Sequence, residues 1–121
     1  MEKREIKIAG RPFSVELAKN FGEKSRGLAG RKTLGENEGM LFVFKRPAFP
    51  IFWMKGMAFP IDILWLKKGK VVGFEKNCPP AKNIWQTKLY WPRELVDSVL
   101  EIESGAIAKF GFEIGEEVSL S

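Results

Sequence analysis

The chain has 121 residues, 45% of them hydrophobic and 29% charged, with 10 Phe and 4 Trp, which is material for one hydrophobic core and room for one domain. A single cysteine, Cys78, and the absence of histidine exclude internal disulfides, cysteine or imidazole metal sites, and Ser-His-Asp or Cys-His nucleophile pairs. The net charge of +5 is unevenly placed, the front half basic and the tail acidic; either the two ends pair within the fold or a basic face is offered to an anionic partner.

The opening MEKREIKIAG is charged and alternating, and lacks the apolar run of a secretory signal. Ile6 and Ile8, then Phe13, Val15 and Leu17, alternate with polar neighbours on either side of the turn signal Gly10-Arg11-Pro12, which predicts a hairpin. Asn20 is placed to cap a short helix over Phe21 to Leu28, with Gly30 as its stop. Residues 33–39 read as loop. Met40 to Phe44 (MLFVF) is continuously apolar and short, as in a strand covered on both faces. The prolines in residues 45–50 predict a loop, Pro50 to Met54 and Ile61 to Lys67 predict strands, and Lys68-Gly69 turns into a further strand over Val71 to Glu75.

Asn77 to Pro92, with Pro79-Pro80 and Trp91-Pro92, is the least regular part. Val96 to Glu103 alternates as a strand, Ser104 is placed to cap a helix over Gly105 to Phe110 that Gly111 ends, and Glu117 to Leu120 closes the chain as a strand. The expected fold is therefore mostly β, α+β at the margin. It is one domain over residues 1–121, an antiparallel sheet of about seven to eight short strands curled into a barrel-like or sandwich form, with two or three short helices. The longest uncharged apolar stretch, Pro47 to Met54, is far below the roughly 18 residues that span a bilayer. A soluble, cytoplasmic chain is the expectation. Lys and Glu dominate the charges and Gln86 is the sole glutamine, a composition resembling that of proteins from hot environments.

The runs SRGLAGR (25–31), EGMLFVF (38–44), FWMK (52–55), FPIDILWL (59–66), VLEIESG (99–105) and FGFEIGEEV (110–118) occur in an order and spacing that resembles the DUF192 family, also called UPF0127. The resemblance covers Phe13 to Val118 and implies a compact β-rich domain; the family is one of unknown function, so it implies no reaction. Gly56 and Met57 stand where the family usually shows Asn-Thr, and Ala29 where it usually shows Met. A ligand role for those side chains is not carried over.

Six residues are candidates for a ligand site: Arg26, Arg31, Trp53, Lys55, Asp62 and Glu101, each an ionisable or aromatic group set in an apolar motif. With Ile61 and Ile63 facing one way, alternation turns Asp62 the other way, beside Leu64. Asp62 then forms a salt bridge with Lys55 or an arginine, or joins Lys55, Arg26 and Arg31 as the polar rim of a pocket floored by Trp53 and Phe52, or these are exposed charges with no common role. At least two of the four tryptophans are expected in the core, with Trp85 and Trp91, near Lys82, Lys88 and Tyr90, as the exposed pair. Cys78 reads as a structural thiol.

No GxGxxG or P-loop spacing occurs, and neither cofactor nor metal is expected. Three function classes follow, in order of preference. The first is a non-catalytic binding module for a small polar or anionic ligand. The second is an enzyme using Asp62 or Glu101 as acid or base, with Lys55 or Arg31 as electrostatic stabiliser. The third is nucleic-acid binding through the basic front and exposed aromatics.

Overall fold

A computed structural model describes residues 1–83, 85 and 88–120. Alternation at the start makes a hairpin of β1 (Lys3–Ile8) and β2 (Arg11–Ala18). Its turn sits at Ala9-Gly10, both at positive φ, one residue earlier than Gly10-Arg11-Pro12 predicts, and Pro12 falls inside β2. Asn20 caps α1 (Phe21–Arg26) in a capping box with Glu23. The helix stops at Gly27, short of Leu28, because the chain there turns to φ 52°.

α1 and the loop after it carry the chain across to β3 (Glu38–Ala48), which pairs parallel with β2, an exception to the antiparallel expectation that a crossover of this length permits. β3 also runs through Pro47, where a loop was expected: an irregularity between Val43 and Ala48 lets the strand keep its pairing with its other neighbour. The remaining elements are β4 (Phe52–Trp53), β5 (Ile61–Lys67), β6 (Lys70–Cys78), β7 (Leu89–Tyr90), β8 (Val96–Glu103), α2 (Ala106–Phe110) and β9 (Val118–Leu120). Ser104 does not cap α2. Gly105 takes the N-cap in the left-handed region, and the Ser104 hydroxyl donates instead to Asn77 Oδ1 at 2.6 Å.

Seven strands form one sheet in the order β6-β5-β8-β3-β2-β1-β9, and β4 and β7 form a separate two-stranded ribbon. The two edges of the large sheet meet at one end. Gly115 N–H donates to Val71 O at 2.8 Å, Val71 N–H to Glu116 O at 3.0 Å, and Val118 N–H to Gly69 O at 2.8 Å. The sheet is thus curled into a half-barrel.

Two apolar clusters lie on its two faces. The first joins Ile6 and Phe13 to Leu64, Val71, Leu100 and Ile107, and because it draws on strands near opposite edges of the sheet it fills the concave side. The second joins Met40, Phe42, Ile63, Trp65 and Val99 on the opposite face, with Leu28, Met54 and Tyr90 laid over them. β5 is covered on both sides and carries a nearly continuous apolar run for that reason. Where the tail meets the front in an ion pair, Lys109 with Glu36, the signs are opposite to those the overall charge distribution predicts.

Gly39 lets β3 approach β8 closely. A Cβ there would lie 2.6 Å from the Glu101 carbonyl oxygen and 3.0 Å from Ile102 Cγ2. Gly39→Ala is expected to cost about 1–3 kcal/mol by forcing the strands apart, measured as a shift in the urea midpoint; an unchanged midpoint would mean the pair separates freely.

Candidate functional site

Alternation along β8 puts Leu100 and Ile102 in the concave cluster and Val99 on the opposite face. Glu101 therefore projects to the opposite face, between its partners Met40 of β3 and Ile63 of β5. A carboxyl in that setting is costly. Glu101 is only 5% exposed, and among the described residues nothing donates a hydrogen bond to it. Burial alone pushes its pKa up from the ordinary 4.5 to about 8, so the acid is neutral at pH 7.

Above Glu101 opens a cavity of about 400 Å³. One wall is α1 and the turn after it, which contribute Lys24, Arg26, Gly27 and Leu28. Phe42 and Phe44 of β3 stand beside the glutamate, and the segment Pro50 to Trp53 with Lys55 makes the facing wall. Phe52 fixes that wall: its ring meets Phe42 edge-on at 5.0 Å and Trp65 at 5.7 Å, which leaves Trp53, one residue on, turned outward and 53% exposed. Gly27 leaves the floor open, since a Cβ there would touch Phe42 Cζ at 3.3 Å and come within 3.9 Å of Glu101 Oε1.

Two of the rim's three cations are held over aromatic rings. Lys24 Nζ lies 4.5 Å from the Phe44 centroid and Lys55 Nζ 5.4 Å from that of Trp53. Among the described residues no carboxylate pairs with Lys24, Arg26 or Lys55. The walls are tied to one another by the hydrogen bond from Gly30 N–H to Gly56 O at 3.1 Å. Gly56 has φ 79°, a left-handed conformation that asparagine, the residue usual here in the family, also tolerates.

Of the six candidates, Arg26, Trp53, Lys55 and Glu101 meet at this cavity, and Arg31 and Asp62 do not. Arg31 lies beyond the turn that ends α1 and pairs with Glu16 of β2. Asp62 is fully buried on the concave face, as alternation requires, and none of the arrangements expected of it is found. Its Oδ1 accepts from Asn77 N–H at 2.8 Å and its Oδ2 from Ile107 N–H at 2.9 Å, so it fastens β6 and α2 to β5 and forms no salt bridge with Lys55 or an arginine.

Trp85 and Trp91 are 91% and 56% exposed, as expected of that pair. The expectation of two core tryptophans is corrected: Trp65 is buried, but Trp53 is 53% exposed, because it rides a two-residue strand anchored through its neighbours. The Cys78 thiol is buried and pushed up to about 12, chiefly by desolvation, which leaves it unreactive. Residues 84, 86 and 87 of the irregular segment lie outside the described residues.

Sequence reasoning missed Lys24, Phe42 and Phe44 as site residues. The available signal was periodicity: Phe42 and Phe44 are two and four residues beyond Met40, on the face that Glu101 shares.

The DUF192 family model, described as "Uncharacterized ACR, COG1430", matches residues 4–120. None of the curated proteins matches the chain. A crystal structure of a "putative transcription regulator" from Sinorhizobium meliloti 1021 superposes with TM-score 0.90 at 26% identity, over 98% of this chain and 94% of that one. A protein of unknown function from Novosphingobium aromaticivorans DSM 12444 superposes with TM-score 0.88 at 29% identity, over 97% and 84%.

Proposed function

The chain belongs to the DUF192 family, and from the cavity it carries we propose that it is a non-catalytic binding module for a small anionic ligand with an apolar body. One observation supports this reading above the others: three cations without carboxylate partners ring an aromatic-walled cavity whose base is a neutral acid. The rim attracts negative charge, the phenylalanine walls take apolar surface, and the protonated Glu101 offers a hydrogen-bond donor without repelling an anion.

An enzymatic reading has Glu101 as a general acid, for which its raised pKa is suited. The cavity holds no second carboxylate among its described lining, so a paired acid and base is not supported. The described helices, six and five residues long, provide no recognition helix for a major groove, so they lend no support to the regulator role in the name of the Sinorhizobium protein.

Calorimetry with a panel of aromatic and aliphatic carboxylates, phosphates and sulfonates tests the proposal. Some of these anions are expected to bind, and Arg26→Ala and Lys55→Ala each to weaken them about tenfold, the scale of one charge-assisted hydrogen bond. Binding that is indifferent to both substitutions would remove the site.

A further inference from the structure

The mouth of the cavity carries apolar side chains that the fold leaves in solvent. On one wall Phe21, the first residue of α1, is 86% exposed; on the other, Ile51 and Trp53 are 66% and 53% exposed. All three line the same opening, so they form one apolar collar. Phe49 continues it at 57% exposure, giving outward positions 49, 51 and 53 while Phe52 between them packs inward on Phe42 and Trp65. A single exposed ring needs no explanation, but a group of them around a concavity does.

The charged side chains that line the mouth among the described residues are cations, and Glu23 of α1, outside that lining, turns its carboxylate back to the Lys19 and Asn20 N–H groups. Lys24, Arg26 and Lys55 belong to the rim, and Lys45 and Arg46 are exposed on β3 just before the collar segment. Among the described lining residues the one acid, Glu101, sits at the base, 5% exposed, and does not contribute to the outer surface. The complementary partner is therefore negative at its surface and apolar immediately beneath.

We propose that this mouth docks on the headgroup–acyl boundary of an anionic lipid bilayer, with Phe21, Ile51 and Trp53 entering the boundary and Lys24, Arg26 and Lys55 resting on the headgroups. Long cationic side chains spread their stems along apolar surface and keep their charge at the headgroup level, while aromatic and aliphatic tips favour the region just below. A protein partner with an acidic surface would have to bring a knob to fill the cavity as well as cover tips on two separate walls. A fluid surface conforms to separated tips without such a match. The inference uses the mouth and not the floor of the cavity, and it stands apart from the identity of the small ligand.

The test is sedimentation of the whole chain with vesicles of phosphatidylcholine alone and with one quarter phosphatidylglycerol, at low and high salt. Binding is expected to the anionic vesicles only, weakened by salt, with Trp53 fluorescence quenched by bromine-labelled acyl chains and the quench lost in Trp53→Phe. The double variant Phe21→Ser/Ile51→Ser, altered at exposed positions and checked for folding by circular dichroism, is expected to bind at least tenfold more weakly, as is Lys24→Glu/Arg26→Glu. No binding to anionic vesicles at low salt overturns the proposal. So does binding that the serine variant leaves unchanged, which marks adhesion by net charge, or equal affinity for polyglutamate, which marks an acidic protein surface. Soluble sulfonates or carboxylates that bind the cavity while vesicles do not would sink the membrane proposal and leave the ligand site standing.

Discussion

Replacing Glu101 with glutamine is expected to stabilise the protein in alkali and leave it almost unchanged in acid. In the folded chain burial holds this carboxyl's pKa near 8, against an ordinary 4.5. Between those two pH values the folded state keeps a proton that the unfolded state has released. Stability from this group is therefore complete below pH 4.5, falls as pH rises toward about 8, and levels off above it. The whole decline is on the order of 2–5 kcal/mol, or roughly 10 °C in Tm. Glutamine has the shape of the neutral acid and cannot ionise, so the variant escapes the decline. Urea denaturation at pH 5 and pH 9 measures it: the gap between Glu101→Gln and the parent should open at the higher pH, and parallel profiles would show that Glu101 ionises without penalty.

The second large effect concerns Asp62. Asp62→Ala strands two backbone N–H groups, those of Asn77 and Ile107, in the interior and leaves a small void, for an expected loss of about 3–5 kcal/mol. Asp62→Asn keeps one accepting oxygen and presents an amide N–H₂ to the other donor, so roughly half of that loss is expected. Because Asp62 faces the concave cluster and Glu101 faces the cavity, anion affinity per folded molecule should not change in either variant. Denaturation and calorimetry on the same samples separate the two roles. A stable Asp62→Asn protein that had lost anion binding would contradict the assignment of Asp62 to the scaffold.

These two carboxyls show what was legible in the sequence. The apolar pattern predicts β5 at Ile61–Lys67 and β8 at Val96–Glu103, bounds that the structure reproduces, and period-two geometry along β5 predicts the face on which Asp62 lies. What each acid meets was not legible. The donors to Asp62 come from residues 15 and 45 positions away in the chain, brought in by the curl of the sheet.

The cavity depends on contacts of the same long-range kind. Phe52 is recognisably apolar, but its seat against Phe42 and Trp65, which turns Trp53 outward, exists only once the β4 segment packs on the large sheet. Arg26 and Arg31 occupy one short motif and look equivalent. The helix ends at Gly27 between them, and the turn sends Arg31 to Glu16 while Arg26 stays on the rim. Pro47 misled for a related reason, since proline disfavours a strand locally and β3 accommodates it through an irregularity in its pairing.

The most direct measurement is the affinity of anilinonaphthalene sulfonate for the parent and for Glu101→Gln from pH 6 to pH 9. The sulfonate stays charged throughout, while Glu101 at the base of the cavity, its pKa pushed up to about 8 by burial, loses its proton within that range. Affinity of the parent should fall about tenfold as pH passes 8 and an anion appears beneath the ligand, while the glutamine variant stays level and Arg26→Ala is weak at every pH. Parent and variant profiles that coincide, or sulfonate binding that Arg26→Ala leaves intact, would contradict a cation-rimmed pocket built over a neutral acid.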